Sequence, residues 1–346
     1  MSTTTRRLRR AALAAGAVAL ARAVVRRRRL VDPVPAELRS PALWLPLPLS
    51  SDRAIRTVRS LQDRMPDLPV APGVHVETHV TDRRDGGQIR LLVHEPDARS
   101  QPSGALLWIH GGGMVFGVPE QSNEVCSRLA AELGIVVAAV DYRLAPEDPF
   151  PAGLDDCMDA LAWLHDGAEA MGIDPTRIAV GGDSAGGGLT AAVCQRALDE
   201  GGPAIAFQAL VYPMLDDRTA LRTDHEGRGN LVWTPKSNAY AWTAYLGHIP
   251  GVDDPRPYAA PGRRDDLSGL PPAWIGVGGL DLFHDEDVDY ARRLDAAGVP
   301  VELVVVPGMY HAADGLAARA PAMVEFHSSL AAALGTALAG DEAAVG

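Results

Sequence analysis

The sequence predicts an α/β fold in which a mostly parallel central sheet is flanked by helices. Three observations support this fold class. Short, continuous apolar runs alternate with helix-like stretches, turn residues bound the runs, and a serine between glycines stands where one run meets a helix. With 346 residues, 47% of them hydrophobic, the chain can bury a sizeable core. This composition argues against a disordered chain and against a polytopic membrane protein.

Residues 1–31 form a basic and apolar N-terminal extension. The extension carries nine arginines and no acidic residue, and removing nine positive charges from the net charge of −12 leaves −21 for the rest. The rest of the chain is acidic enough to repel nucleic acid, and we predict no nucleic-acid partner. The extension resembles a secretory signal, but the block Arg26–Arg29 resists translocation. We expect a cytoplasmic protein; export, and weak association of this basic extension with a membrane surface, stay open.

The next predicted unit, residues 32–72, contributes helices to a cap. Its proline-rich start, Asp32–Pro48, predicts a linker or extended strip, and Ser51–Met65 predicts a helix. A β-hairpin should follow, because Val74–Val80 alternates and can pair with Ile89–His94 across a turn that holds two glycines.

The α/β core is predicted over residues 73–214 and 271–340. Its apolar runs predict strands buried on both faces, at Ala105–Ile109, Ile135–Val140, Ile178–Val180, Phe207–Val211, Ala273–Val277 and Val301–Val306. Helices are predicted between them, at Glu120–Leu133, Ala152–Met171, Ala185–Leu198, Asp285–Ala297 and Pro321–Leu338. Residues 215–270 separate two core strands by more than a usual loop and are rich in aromatic residues, which predicts a cap insertion that acts as a lid. The alternative is an insertion that only adds to the core.

The three cysteines predict neither a metal site nor a redox centre. Cys126, Cys157 and Cys194 lie far apart, without zinc-like spacing, in helix-like segments. We interpret them as small buried hydrophobic side chains. No metal or cofactor is predicted.

The segment Gly182-Asp183-Ser184-Ala185-Gly186 carries the predicted nucleophile. A serine flanked by glycines at minus two and plus two, between a strand and a helix, matches the nucleophile-elbow pattern. The turn strains the serine backbone, and larger flanking residues would collide with the neighbouring strand and helix.

An oxyanion hole is predicted next to this serine. His110-Gly111-Gly112-Gly113 follows the strand Ala105–Ile109 and leaves backbone N–H groups uncovered. The N–H groups of Gly112 and Gly113, together with that of Ala185, can stabilise a developing oxyanion.

A serine hydroxyl needs a neighbouring base, and that base needs an orienting carboxylate. Two later strands end in such residues: Ala273–Val277 leads to Asp281, and Val301–Val306 leads to His311. The order serine, acid, histidine is the order of this type of site. The rival acids Asp285 and Glu286 are predicted to be helix-start residues.

The motifs together resemble the hormone-sensitive-lipase-like branch of the α/β-hydrolases, the microbial carboxylesterases. The resemblance rests on the segments His110–Gly113, Asp141–Glu147, Gly182–Gly187, Asp281–Glu286 and Gly308–His311. It implies an α/β-hydrolase fold with a small helical cap. It also implies Ser184 as nucleophile, His311 as base and Asp281 as its partner, with Gly112, Gly113 and Ala185 at the oxyanion. Asp141–Glu147 is expected to be scaffold.

The predicted substrate pocket comprises Phe116, Asp183, Trp233, Trp242 and Tyr245. The chain departs from the family pattern after the histidine, where Ala312 and Ala313 replace glycine and phenylalanine. We expect this change to loosen the packing beside the histidine and to widen the pocket.

The predicted function is hydrolysis of short- to medium-chain carboxylic esters through an acyl-enzyme, with a small ester as the substrate and a homodimer as one option. An amide, formamide or lactone hydrolase with the same triad is the first alternative, because fold and triad do not distinguish these substrates. A non-catalytic small-molecule receptor of the same fold is the second, and the presence of the histidine argues against it.

Overall fold

The computed structural model describes residues 21–45 and 49–340, which are organised around one eight-stranded sheet in the order β1-β2-β4-β3-β5-β6-β7-β8. Its strands are β1 (Val74–Asp82), β2 (Gln88–Pro96), β3 (Ser103–Ile109), β4 (Val136–Asp141), β5 (Ile173–Asp183), β6 (Phe207–Val211), β7 (Ala273–Gly278) and β8 (Val301–Val306). The β1–β2 and β2–β4 pairs are antiparallel, and all the other pairs are parallel. The predicted fold class is confirmed.

Helices cover both faces of this sheet. The first, α1, occupies residues 21–31; the others are α2 (Asp52–Gln62), α3 (Asn123–Leu133), α4 (Ala152–Asp166), α5 (Ala185–Glu200), α6 (Pro235–Leu246), α7 (His284–Ala296), α8 (Ala313–Leu316) and α9 (Pro321–Ala337). Alternate residues of β3 face opposite layers, as a strand requires. Leu107 packs with the α4 and α5 layer, whereas Leu106 and Trp108 pack with α3 and α9.

The last strand differs from its prediction. The apolar run Val301–Val306 predicted burial on both faces, but β8 pairs with β7 alone and lies at the edge of the sheet. Leu303 is 37% exposed and Val305 is 40% exposed. A run of apolar residues does not reveal how many neighbours its strand has, so this burial prediction was wrong.

The segment that follows α1 is also more than a linker. Val34, Leu38 and Leu43 are buried in the same apolar layer as α9. The hydroxyl of Tyr310, next to the predicted catalytic histidine, donates a hydrogen bond to the Leu38 carbonyl at 3.1 Å. The linker prediction is therefore wrong for residues 32–45, which pack onto the histidine loop. Residues 1–20 and 46–48, which include much of the predicted basic extension, lie outside the described residues.

Helix α2 begins after Ser51, whose hydroxyl accepts a hydrogen bond from the Ala54 N–H at 3.3 Å and so caps the helix. Within the described ranges, no helix combines the length and apolar character needed to cross a bilayer.

The insertion between β6 and β7 contains α6 and short 3-10 helices. An ion pair between Arg263 and the buried Asp217, at 2.6 Å, joins two distant parts of the insertion. The Asp217 carboxylate also accepts from the Gly251 N–H at 2.6 Å. A buried carboxylate with these partners stabilises the insertion as one unit.

Candidate active site

Ser184 occupies a strained turn between β5 and α5. Its φ of 55° and ψ of −117° lie in a region that non-glycine residues rarely adopt, at a cost of about 1–3 kcal/mol. The flanking glycines make the turn sterically feasible. A Cβ atom would lie 1.9 Å from the Ile109 carbonyl oxygen at Gly186 and 2.4 Å from the same atom at Gly182.

A continuous chain of hydrogen bonds joins the three predicted catalytic side chains. The Oγ of Ser184 lies 2.9 Å from Nε2 of His311, and Nδ1 of His311 lies 2.8 Å from Oδ2 of Asp281. The other carboxylate oxygen of Asp281 accepts from the Phe283 N–H at 3.0 Å. Ser184 and His311 are each 5% exposed, and Asp281 is fully buried. In this arrangement the imidazole can take the serine proton while the carboxylate holds its orientation.

Aromatic rings surround the His311 imidazole. Tyr212 and Phe283 meet it edge-on with centroids at 4.7 Å and 5.3 Å, and the Trp233 ring lies at 6.2 Å. The loosened packing expected from Ala312 and Ala313 is therefore not found at the imidazole.

The glycine loop after β3 is arranged as the oxyanion hole requires. Gly112 and Gly113 have φ values of 125° and 62°, and no described residue accepts a hydrogen bond from either N–H. The N–H of Ala185 is also free of an intrahelical acceptor, because Ala185 is the first residue of α5. The loop is anchored by the Gly111 N–H, which donates to Oδ1 of Asp183 at 3.2 Å.

The predicted pocket residues fall into two groups. Trp233 is 3% exposed, and its ring lies so close to the Gly113 backbone that a Cβ there would be 2.3 Å away. Phe116 and Asp183 are half-buried next to the same loop. Trp242 and Tyr245 instead pack between the insertion and the core, with the Tyr245 ring 5.6 Å from Phe150. We therefore assign these last two rings to packing rather than to the pocket. Aromatic composition alone did not indicate which face of α6 the rings occupy.

Two residues near the site were missed in the sequence. Tyr212 directly follows β6, so its position at the carboxyl edge of the sheet was a usable signal. Its hydroxyl donates to Oδ1 of Asp314 at 2.8 Å. No sequence signal identified Asp314, which begins the short helix after the histidine loop.

The rival acids lie in the first turn of α7, as predicted, but neither side chain caps the helix, which corrects the expectation that they are caps. Glu286 accepts from the Leu215 and Asp216 N–H groups at 2.7 Å and 3.1 Å, and it also bonds to the Thr219 hydroxyl. Desolvation raises the pKa of Glu286 well above its usual range. Asp285 pairs with two arginines of the insertion, Arg222 and Arg228. Both acids thus attach the start of the insertion to α7.

His110 supports the loop. Its Nδ1 lies 2.8 Å from the Gly111 carbonyl oxygen, and its ring stacks on Tyr142 with centroids 4.3 Å apart. The Tyr142 hydroxyl donates to the His110 carbonyl at 2.9 Å. Burial lowers the pKa of His110, which keeps the ring neutral at neutral pH.

A strained serine, free N–H groups and a histidine–aspartate pair at the carboxyl edge of a mostly parallel sheet define the serine hydrolases of α/β architecture. A family model described as "alpha/beta hydrolase fold" matches residues 106–314. The chain therefore belongs to the α/β-hydrolase family, in its hormone-sensitive-lipase-like branch.

Individual relatives agree with this assignment. The chain is 39% identical over 286 residues to "Esterase LipI" of Mycobacterium tuberculosis, a match that covers 81% of this chain and 88% of the relative. It is 36% identical over 231 residues to "Ethyl acetate hydrolase" of Pseudomonas putida, covering 66% of this chain and 72% of the relative. Among solved structures, "Bacterial Heroin Esterase" superimposes with a TM-score of 0.82 at 38% identity, covering 89% of this chain and 99% of that one.

Proposed function

We propose that this enzyme hydrolyses short- to medium-chain carboxylic esters through an acyl-enzyme intermediate. The observation that carries the proposal is the hydrogen-bond chain from Ser184 through His311 to Asp281, at 2.9 Å and 2.8 Å. Relatives named as esterases support the choice of ester substrates.

In the first step, Ser184 Oγ attacks the ester carbonyl carbon while His311 Nε2 takes the hydroxyl proton. Negative charge develops on the carbonyl oxygen, where the N–H groups of Gly112, Gly113 and Ala185 stabilise it. Collapse of the tetrahedral intermediate breaks the bond to the alcohol oxygen, which receives the proton from the imidazolium. Water then attacks the acyl-enzyme with the same base, and the carboxylic acid leaves.

The size of the preferred acyl group follows from the cap. Residues 215–270 contain one α-helix of 12 residues, α6, of which Trp242 and Tyr245 are already buried in packing. The Trp233 ring lies over the oxyanion loop and limits the space above the serine. A cap with a single short helix favours short- to medium-chain esters over long-chain lipids.

The test is a series of p-nitrophenyl esters from acetate to palmitate, measured on the wild type and on Ser184→Ala. We expect kcat/KM to be highest between acetate and octanoate, and the Ser184→Ala variant to lose about 10⁴-fold or more in kcat. A fluorophosphonate probe should label the wild type and not the variant. Wild-type protein that neither reacts with the probe nor cleaves any ester of the series would refute the proposal.

We also propose that the N-terminal segment associates weakly with anionic membrane surfaces from a cytoplasmic location. Arginines on α1 are exposed, and beside them are apolar side chains that are about half exposed or more: Val24, Val25, Trp44 and Leu45. Arg27 joins the two groups, because its side chain bonds to the Leu43 carbonyl. Exposed arginines next to exposed apolar groups suit an anionic lipid surface.

We further propose that the chain forms a homodimer. In the described part of the chain, the outer edge of β8 has no strand partner, and it exposes Leu303 and Val305. Edge strands of this kind pair with a second copy unless they are blocked. Sedimentation of the wild type and of Leu303→Lys tests the proposal: the wild type should sediment as a dimer and the variant as a monomer.

A further inference from the structure

A cavity of about 460 Å³ lies beside the triad, between α3, α8 and α9. Its floor is apolar and largely aromatic, formed by Trp108, Val211, Phe326 and Leu330. Its inner wall belongs to residues that adjoin the catalytic side chains, namely Asp183, Tyr212, Ala312 and Asp314. Asp183 precedes the nucleophile in the chain, and Ala312 follows the histidine.

The position of the cavity indicates which part of an ester it can receive. In the proposed mechanism His311 Nε2 returns its proton to the leaving alcohol oxygen, so the alcohol must lie on the histidine side of the serine. Tyr212, whose ring contacts the imidazole at 4.7 Å, and Ala312 form the wall on that side. The triad side chains, the oxyanion glycines and Trp233 do not line this cavity, so it adjoins the site through Asp183, Tyr212 and Ala312.

The inner wall of the cavity is negatively charged. Burial opposes ionisation of Asp314, but contacts with His327 at 3.5 Å and with the Tyr212 hydroxyl lower its pKa overall. The Asp183 carboxylate, beside it, has one recorded partner among the described residues, the Gly111 N–H on Oδ1. A carboxylate surrounded by aromatic rings is the chemical setting that binds organic cations.

The lining of the cavity also includes two arginines, Arg128 and Arg319. Arg128 lies in the middle of α3, where its Nη1 pairs with Glu132 at 3.5 Å and its buried Nη2 has no hydrogen-bond partner among the described residues, whereas Arg319 is exposed to solvent. Glu124, also on α3, adds a further acid to the lining. Four acidic side chains of the lining outnumber its two arginines and one histidine, and two of the acids, Asp183 and Asp314, are half-buried.

We propose that this cavity receives the alcohol part of the ester and selects alcohols that carry a positive charge, such as quaternary ammonium alcohols. The inference rests on the proposed ester hydrolysis and narrows its substrate class. Tyr212 and Phe326 contact the cation through their ring faces, and Asp183 and Asp314 balance its charge.

The test compares two acetate esters of nearly equal shape, acetylcholine and the neutral 3,3-dimethylbutyl acetate, by pH-stat measurement of kcat/KM. We expect the wild type to favour acetylcholine about tenfold, the effect of one charge-assisted contact in a half-buried site. Asp314→Asn and Asp183→Asn should each bring the ratio towards one. Asp289→Asn, which removes an exposed acid of α7, is the matched control and should keep the wild-type ratio.

The ratio of kcat/KM for the two acetate esters separates a change in selectivity from a general loss of activity. Asn at position 183 still offers a carbonyl oxygen to the Gly111 N–H, and any loss at the oxyanion loop lowers both rates alike. A wild-type ratio of one or less, or a ratio that neither Asn variant changes, overturns the inference. Faster cleavage of the anionic 4-acetoxybutyrate would also overturn it, by assigning recognition to Arg128 and Arg319. If neither acetate ester reacts while p-nitrophenyl acetate does, the inference on the alcohol is overturned and the proposed ester hydrolysis stands.

The pH dependence of the same ratio is a second readout. Burial and the neighbouring charge of Asp314 raise the pKa of Asp183 to about 7, and the positive form of His311 opposes this shift. Cys126, Tyr142 and Tyr212 also interact with Asp183, and the cavity that it lines includes Glu124 and Arg128 of α3 and His327 of α9. Because Asp183 gains its charge as pH rises through 7, the preference for acetylcholine should increase between pH 6 and pH 8. A flat ratio in the wild type would exclude Asp183 as the group that balances the charge.

Discussion

Replacing Asp281 with asparagine should stop catalysis without disturbing the fold, because one backbone contact fixes the orientation of the new amide. Oδ1 of Asp281 accepts from the Phe283 N–H at 3.0 Å, so the asparagine carbonyl oxygen must remain at that position. Its NH₂ group then takes the place of Oδ2, 2.8 Å from Nδ1 of His311. Facing a donor, Nδ1 must act as an acceptor, and the ring proton moves to Nε2.

A proton on Nε2 removes the base, since that nitrogen is the one that lies 2.9 Å from the Ser184 hydroxyl. Loss of the correct tautomer in an enzyme with the same type of triad lowers kcat by about 10⁴, and we expect a loss of that order here. The assay is kcat for p-nitrophenyl butyrate, with urea denaturation as the measure of folding.

Asp285→Asn is the matched control, because Asp285 belongs to the same segment but pairs with Arg222 at 2.7 Å instead of with the histidine. We expect its kcat to stay within about threefold of the wild type. An Asp281→Asn enzyme that keeps more than a tenth of wild-type kcat would refute the orienting role of the carboxylate. The orienting role would also be refuted if the loss of kcat were fully explained by a smaller folded fraction in the urea measurement.

Three further changes test other parts of the site. Gly186→Ala places a methyl group 1.9 Å from the Ile109 carbonyl oxygen, so we expect a loss of about 3 kcal/mol or more in unfolding free energy, measured in urea; a stable variant would contradict the elbow geometry. Glu286→Gln keeps an acceptor for two N–H groups and should cost under about 1 kcal/mol, whereas Glu286→Ala leaves both unpaired and should cost about 2–4 kcal/mol. The double substitution Arg28→Gln and Arg29→Gln should weaken binding to vesicles that contain anionic lipid by about 2 kcal/mol, or roughly thirtyfold, as measured by co-sedimentation. Equal binding of the wild type and the variant would contradict the membrane proposal.

The sequence predicted the topology and the proximity of Ser184, Asp281 and His311 well, because both follow from simple rules. Buried parallel strands appear as continuous apolar runs, and every β–α junction after β3 brings the carboxyl end of a strand to one edge. Asp281 and His311 lie a few residues after β7 and β8, so strand order alone placed them near Ser184. Their hydrogen-bond distances depend on side-chain packing, which no pattern in the sequence contains.

The predictions that failed all concern the partners of a segment. Val301–Val306 has the composition of a central strand, yet it is an edge strand because, among the described residues, β8 pairs only with β7. Glu286 begins a helix, as acids often do, but the backbone N–H groups it accepts from belong to residues about seventy positions earlier. Burial of Leu38 and Leu43 likewise depends on contacts with elements far along the chain.

The strain at Ser184 shows why the glycine pattern is only half of the elbow. Both backbone groups of the serine are bound: its N–H donates to the Val211 carbonyl at 2.8 Å, and its carbonyl accepts from the Met214 N–H at 2.9 Å. The glycines make the strained conformation sterically accessible, and the end of β6 holds it there. Tyr212 lies between these two residues and contacts the His311 ring at 4.7 Å. One short segment, 211–214, thus positions the nucleophile through its backbone and the base through its side chain.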